Sequence, residues 1–150
     1  MTITKSVTDI LNGSITAIKS VIPLQVNVKQ PSLLKEPFDQ KDMAVLIGMT
    51  GDVRGRIIID AATESFQAIG SSMFGMPLEG DMLESFAGEL GNMIAGNLST
   101  KLSDLDYNMD ITPPTVIVGN SKMYGLKDGL ILPIQIETVG DLSIILVVEK

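Results

Sequence analysis

Residues 81–105 place Leu83, Phe86, Leu90, Met93, Ile94, Leu98 and Leu105 at the i, i+3, i+4 spacing of one helix face. This stretch constrains the fold more than any other. A helix so long, with an apolar stripe along it, is stable only when the stripe is covered by a second layer. Asp81 as N-cap with Glu84 three residues on resembles a capping box and sets the expected start.

The rest of the chain supplies that layer. Residues 4–21 read as a helix: Val7, Ile10, Leu11, Ile15 and Ile18 follow helical spacing, Ile22 continues it, and Pro23 stops the pattern. Residues 24–29 alternate as a strand, and residues 31–40 read as a polar, proline-containing connection. Residues 43–49 and 56–60 read as two strands joined by a turn over 50–55. A second helix spans 61–74 and closes at Gly75, with Pro77 beyond it. After Pro113 and Pro114 come a short strand over 115–118 and a strand pair, 130–138 and 142–149, around Gly140. Strands grouped as hairpins, with helices between the groups, predict an α+β fold. The expected architecture is one domain over 1–150, an antiparallel or mixed sheet with two long helices on one face.

The face of the 81–105 helix opposite its apolar stripe collects Ser85, Glu89, Asn92, Gly96, Ser99 and Ser103. A solvated helix face ordinarily holds long charged side chains; this one is small and polar, with one carboxylate and one carboxamide projecting. Gly88, Gly91 and Gly96 lie inside the helix. Each costs about 1 kcal/mol relative to alanine, roughly 3 kcal/mol together, so something must offset them. Close packing on the sheet is one explanation, most apt for Gly91; clearance for an approaching partner is the other. Glu89 and Asn92, three residues apart, are neighbours on one face. They are either an ordinary exposed pair or a two-pronged contact. In the second case the amide orients a water without taking its proton, and the carboxylate meets a partner's lysine.

Composition narrows the chemistry. The chain of 150 residues has no His and no Cys, which excludes Ser-His-Asp and Cys-His catalysis, disulfides and Cys/His zinc sites. Lys and Arg number 11 against 18 Asp and Glu, a net charge of −7, which argues against a nucleic-acid partner. No apolar run is long enough for a membrane span, and residues 1–6 lack the apolar stretch that opens a signal peptide, so the cytoplasm is the expected location. Asp52, Asp60, Glu79, Asp104, Asp106 and Asp110 have no metal-loop spacing and read as surface carboxylates; no metal site is expected. Arg54 and Arg56 are expected to face solvent, and Met43, Met73, Met76 and Met93 to fill the core.

The segment Glu89-Leu90-Gly91-Asn92-Met93-Ile94-Ala95-Gly96-Asn97 resembles the helix motif of the CheC/CheX/FliY family of chemotaxis phosphatases, and within it the CheX type. The match is Glu-x-x-Asn followed by Met-Ile-x-Gly-Asn. Weaker likeness extends upstream through Gly51, Gly55 and residues 56–60 to the helix ending Met73-Phe74-Gly75. The resemblance implies a phosphatase acting on the aspartyl phosphate of a CheY-type response regulator. Asn92 would orient the attacking water and Glu89 would dock on a regulator lysine, with Ser85, Gly88, Gly96 and Ser99 as partner-binding positions around them. No cofactor is expected in this chain, since the regulator would bring its own Mg²⁺. Asp9 and Asn12 repeat the carboxylate–asparagine spacing in the first helix as a degenerate second copy, and CheX-like proteins with one intact site are homodimers with joined sheets, which the apolar last strands are expected to support. The alternative is a non-catalytic domain of the same fold that binds regulators or serves as a flagellar-switch scaffold.

Overall fold

Two apolar runs separated by a glycine-bounded turn fold back on each other. In the computed structural model, which describes residues 5–149, β4 (Met43–Gly51) pairs antiparallel with β5 (Gly55–Ala61), setting Val45 opposite Ile59 and Ile47 opposite Ile57. The other side of β5 takes β10 (Gly140–Val148), which forms a hairpin with β9 (Leu130–Ile136). Two short strands, β1 (Val26–Val28) and β2 (Ser32–Leu33), both pair with the outer side of β9. Likewise β6 (Met109–Ile111) and β7 (Thr115–Val118) both pair with the outer side of β4. The order is β1-β9-β10-β5-β4-β6, with β2 on β9 and β7 on β4, and every pairing is antiparallel.

Side chains alternate across this sheet. Val45, Ile47, Ile57, Ile59, Leu132 and Ile144 form one face, and all three helices pack there: α1 (Lys5–Val21), α2 (Thr63–Phe74) and α3 (Gly80–Ser103). The helix layer centres on α3, which touches β4, β6, β7, α1 and α2. The opposite face presents Ala44, Ile58, Ile145 and Val147, and a two-stranded ribbon of β3 (Phe38–Gln40) and β8 (Ser121–Met123) contributes Phe38 and Met123 over it. The α+β architecture with helices on one face is as expected, with a wholly antiparallel sheet and a third, shorter helix.

Several local expectations differ. The stretch 31–40 holds β2 and β3 rather than a bare connection, and β6 and β8 went unpredicted, because strands of two or three residues have no readable period. Glu79, not Asp81, stands at the N-cap of α3, without a side-chain cap bond; Asp81 lies in the first turn, where its charge still suits the helix dipole. Gly75 closes α2 as expected, in the left-handed region at φ 71° with its N–H bonded to Ser71 O. Met93 and Leu105, placed in the core stripe by spacing, are both exposed. Met93 sits at the stripe's margin, and Leu105 lies past the helix end, so Leu102 is the last buried residue of the helix. The last strands β9 and β10 are interior to the sheet. They cannot be the edges that join a second sheet; the outer edges belong to the short strands.

The three helix glycines have different surroundings. A Cβ on Gly91 would lie 2.6 Å from Val45 Cγ1, so the glycine sets how closely α3 approaches the sheet. On Gly88 it would meet Val116 Cγ2 at 3.2 Å, another packing contact. On Gly96 it would meet nothing within 4 Å. Gly91→Ala should therefore lose about 1 kcal/mol or more, because Val45 is buried and β-branched and cannot yield, overpacking outweighing the propensity gain. Gly96→Ala should gain up to about 1 kcal/mol from helix propensity alone. Urea unfolding of the two variants checks the opposite signs.

Candidate active site

The sheet grips α3 through Leu90, Gly91, Ile94 and Leu98, all buried, and that contact fixes which residues point outward. Glu89 is exposed and Asn92 half-buried on the outward side, about 5–6 Å apart at their Cβ atoms as an i, i+3 pair. Among the described residues neither side chain is held by a hydrogen bond or an ion pair. Both stand mid-helix on a backbone fixed by the core, where a pair can be placed more accurately than on a loop.

Of the expected partner-binding positions, Ser85 is exposed one turn before Glu89, and Gly96 is open one turn past Asn92. The structure buries Gly88 away from solvent, while Ser99 is half-buried two turns past Asn92 with its hydroxyl engaged. Gly88 is buried beneath Val116 and Pro114, and the Ser99 hydroxyl donates to Met109 O at 2.8 Å, tying α3 to β6. Asn97, the motif's second asparagine, has its Oδ1 buried without a donor.

The Asp9/Asn12 pair is differently disposed. Lys5 Nζ and Tyr107 Oη both donate to Asp9 Oδ2 at 2.9 Å, and these bonds, Lys5 first, hold the carboxyl below its ordinary range. Asp9 thus ties α1 to the segment after α3.

The carboxylates read as surface groups need one correction. Asp60, on β5, is only 3% exposed. It faces away from the helices, Lys41 N–H donates to its Oδ1 at 3.2 Å, and burial pushes its pKa up to about 6. Arg56 is half-buried rather than solvent-facing and donates to Gly125 O at 2.9 Å. Among the described residues no group of His, Cys, Asp or Glu could hold a metal, and no helix is long and apolar enough to cross a membrane.

Spacing alone missed the apolar surroundings of the site. Met93, one turn past Glu89, is 38% exposed, and Phe74, Met76 and Met82 are at least half exposed. A usable signal was present: residues 57–100 contain six carboxylates and no Lys or Arg, so the methionines sit in a segment of one charge sign.

An antiparallel sheet covered on one face by three helices, with a Glu-x-x-Asn pair open on the longest of them, matches one class of protein. Residues 43–134 match the family model for the chemotaxis phosphatase CheX. The curated CheY-P phosphatase CheX of Thermotoga maritima is 33% identical over 148 residues, covering 93% of this chain and 94% of that one. The crystal structure of a chemotaxis protein CheX from Desulfovibrio desulfuricans shares the fold, with a TM-score of 0.79 at 20% identity over 95% of this chain and 97% of the other. So does CheX in the CheX-CheY-BeF3-Mg²⁺ complex from Borrelia burgdorferi, with a TM-score of 0.76 at 23% identity over 96% and 97%. The chain belongs to the CheX family of chemotaxis phosphatases.

Asp60 generates a stability prediction. Its folded pKa of about 6 lies above the ordinary 3.8, so the folded state prefers the protonated form. The penalty is absent below about pH 4, grows as pH rises, and is full above about pH 6, where it reaches about 3 kcal/mol at most. Asp60→Asn should raise the melting temperature at pH 8 and have little effect at pH 4. Calorimetry at the two pH values reads the difference.

Proposed function

We propose that this protein dephosphorylates the aspartyl phosphate of a CheY-type response regulator, with Asn92 and Glu89 as the working pair. The observation that carries the reading is the placement of that pair: side by side on the outward face of a core-anchored helix, without internal partners, in a chain of the CheX family. The relatives supply the substrate class. One is a CheY-P phosphatase, and another is known in a complex with CheY, BeF3 and Mg²⁺.

The chemistry suits a chain without His or Cys. Water attacks the phosphorus, the bond to the regulator's aspartate breaks, and carboxylate and inorganic phosphate are released. Phosphoryl transfer of this kind needs placement and charge stabilisation more than covalent help. The phosphoryl group and the Mg²⁺ belong to the regulator. Asn92 accepts a hydrogen bond from the water and donates one toward a phosphoryl oxygen, holding the water in line without titrating. Glu89 docks on a regulator lysine and fixes the approach of the amide. The open space beside Gly96 lets the regulator's surface come close. A cytoplasmic location goes with such a substrate.

Asn92→Ala should lower kcat about 100-fold or more, the scale of losing an oriented water, while the fold and regulator binding survive. Glu89→Lys should weaken binding about tenfold or more by reversing a docking charge. Phosphate release from phosphorylated regulator and a binding titration measure the two effects; binding without turnover by the unaltered protein would make it a scaffold instead.

In the same reading the chain forms a homodimer. The outer edge of β7, where Val118 is exposed, offers a strand for a second sheet. Sedimentation at micromolar concentration should give twice the chain mass, and a monomer mass removes the dimer.

A further inference from the structure

Where α2 hands over to α3, large apolar side chains stand in water. Phe74 is 60% exposed, Met76 50% and Met82 58%. Together with Leu78 and Phe86 they line an open groove of about 520 Å³. Isolated exposed apolar residues are ordinary; a contiguous group marks an interaction surface. The groove has a firm floor. Phe74 packs edge-to-face on Phe86, with centroids 5.7 Å apart and planes at 85°, and Leu78 is buried against the position of Gly70. The methionines at its lip can adapt to a partner that must also leave.

Its rim carries one sign of charge. Asp81 and Glu89 line the groove, Glu79 and Glu84 lie on the same stretch of chain, and no Lys or Arg occurs between Arg56 and Lys101. The groove is also continuous with the proposed active site. Glu89 belongs to both, and Met82, Ser85, Glu89 and Asn92 run in one line along α3, with Met82 two turns, about 10 Å, from Glu89.

We infer that this groove is the second half of the regulator docking surface, receiving an apolar side chain flanked by lysine or arginine on the phosphorylated receiver domain. The inference rests on the phosphatase reading. An acidic rim selects a basic partner surface and speeds its encounter. The apolar floor supplies the affinity that a single exposed ion pair at Glu89 does not. Asn92 then contributes to turnover and the groove to binding, so the two separate in kinetics.

The experiment compares Phe74→Ala/Met82→Ala, Met76→Ala and Asn92→Ala, with Tyr124→Ala as a control exposed on another part of the molecule. The probes are the single-domain receiver proteins of the source genome, phosphorylated for turnover and beryllofluoride-activated with Mg²⁺ for binding. The groove variants should raise KM and Kd about tenfold or more with kcat little changed and the fold retained, Met76→Ala without loss of melting temperature and Phe74→Ala/Met82→Ala with a small loss from the Phe86 ring contact. Asn92→Ala should lose kcat and keep Kd, and Tyr124→Ala should match the unaltered protein. If the groove variants leave KM and Kd unchanged while Asn92→Ala loses turnover, the groove inference is wrong and the phosphatase reading stands. A groove variant that instead changes the sedimenting mass shows that a second copy covers the groove, which also overturns it. If the unaltered protein neither binds nor dephosphorylates any receiver, both readings fall together.

Discussion

The contact between α3 and β4 at Gly91 and Val45 organises the molecule. With a Cβ position only 2.6 Å from a buried valine methyl, the helix lies closer to the sheet than a side chain at residue 91 would allow. That seating turns Leu90, Ile94 and Leu98 into the core and leaves Glu89 and Asn92 on the far side. The same helix meets α1, where the Gly13 position lies against Leu98, and reaches β6 through the Ser99 hydroxyl. In the proposed mechanism Glu89 and Asn92 act by placement, and this rigid seating is what would hold them in place.

The charge distribution fits the same purpose. Six carboxylates and no cation lie between residues 57 and 100, nearly the whole of the net charge of −7. Five of them, Glu64, Glu79, Asp81, Glu84 and Glu89, belong to the helical half of the molecule or its connection, while Asp60 is buried in the sheet. The acidic balance gathers in the helical half of the molecule, which also carries the proposed site. Exposed methionine and phenylalanine within that face make it amphipathic, a surface suited to a basic protein partner.

The long elements were legible because long periodic segments average over local exceptions: α1, α2, α3, β4, β5, β9 and β10 lie where the spacing puts them. The short strands β2, β3, β6 and β8 were not, since they exist only as additions to neighbours distant in sequence. Glu89 and Asn92 were legible as outward neighbours, because an i, i+3 pair is a property of the helix itself. The burial of Gly88 and the engagement of the Ser99 hydroxyl were not legible, because β7 and β6 pack on α3 from a direction that helix periodicity does not record.

From the amino-acid order alone come the helix periods, the strand alternation, the Glu-x-x-Asn pair, and the absence of any imidazole or thiol that could act. These are local or compositional facts, carried by neighbours within a turn or two of chain. Tertiary structure decided which glycine is packed and which is open, that Asp60 is buried with a raised pKa, that Asp9 is tied to Tyr107, and that Phe74, Met76 and Met82 gather at one groove. Each of these depends on surfaces brought together from distant parts of the chain. Burial and exposure are set by what lies opposite a side chain, and the spacing along its own helix or strand leaves that partner unspecified.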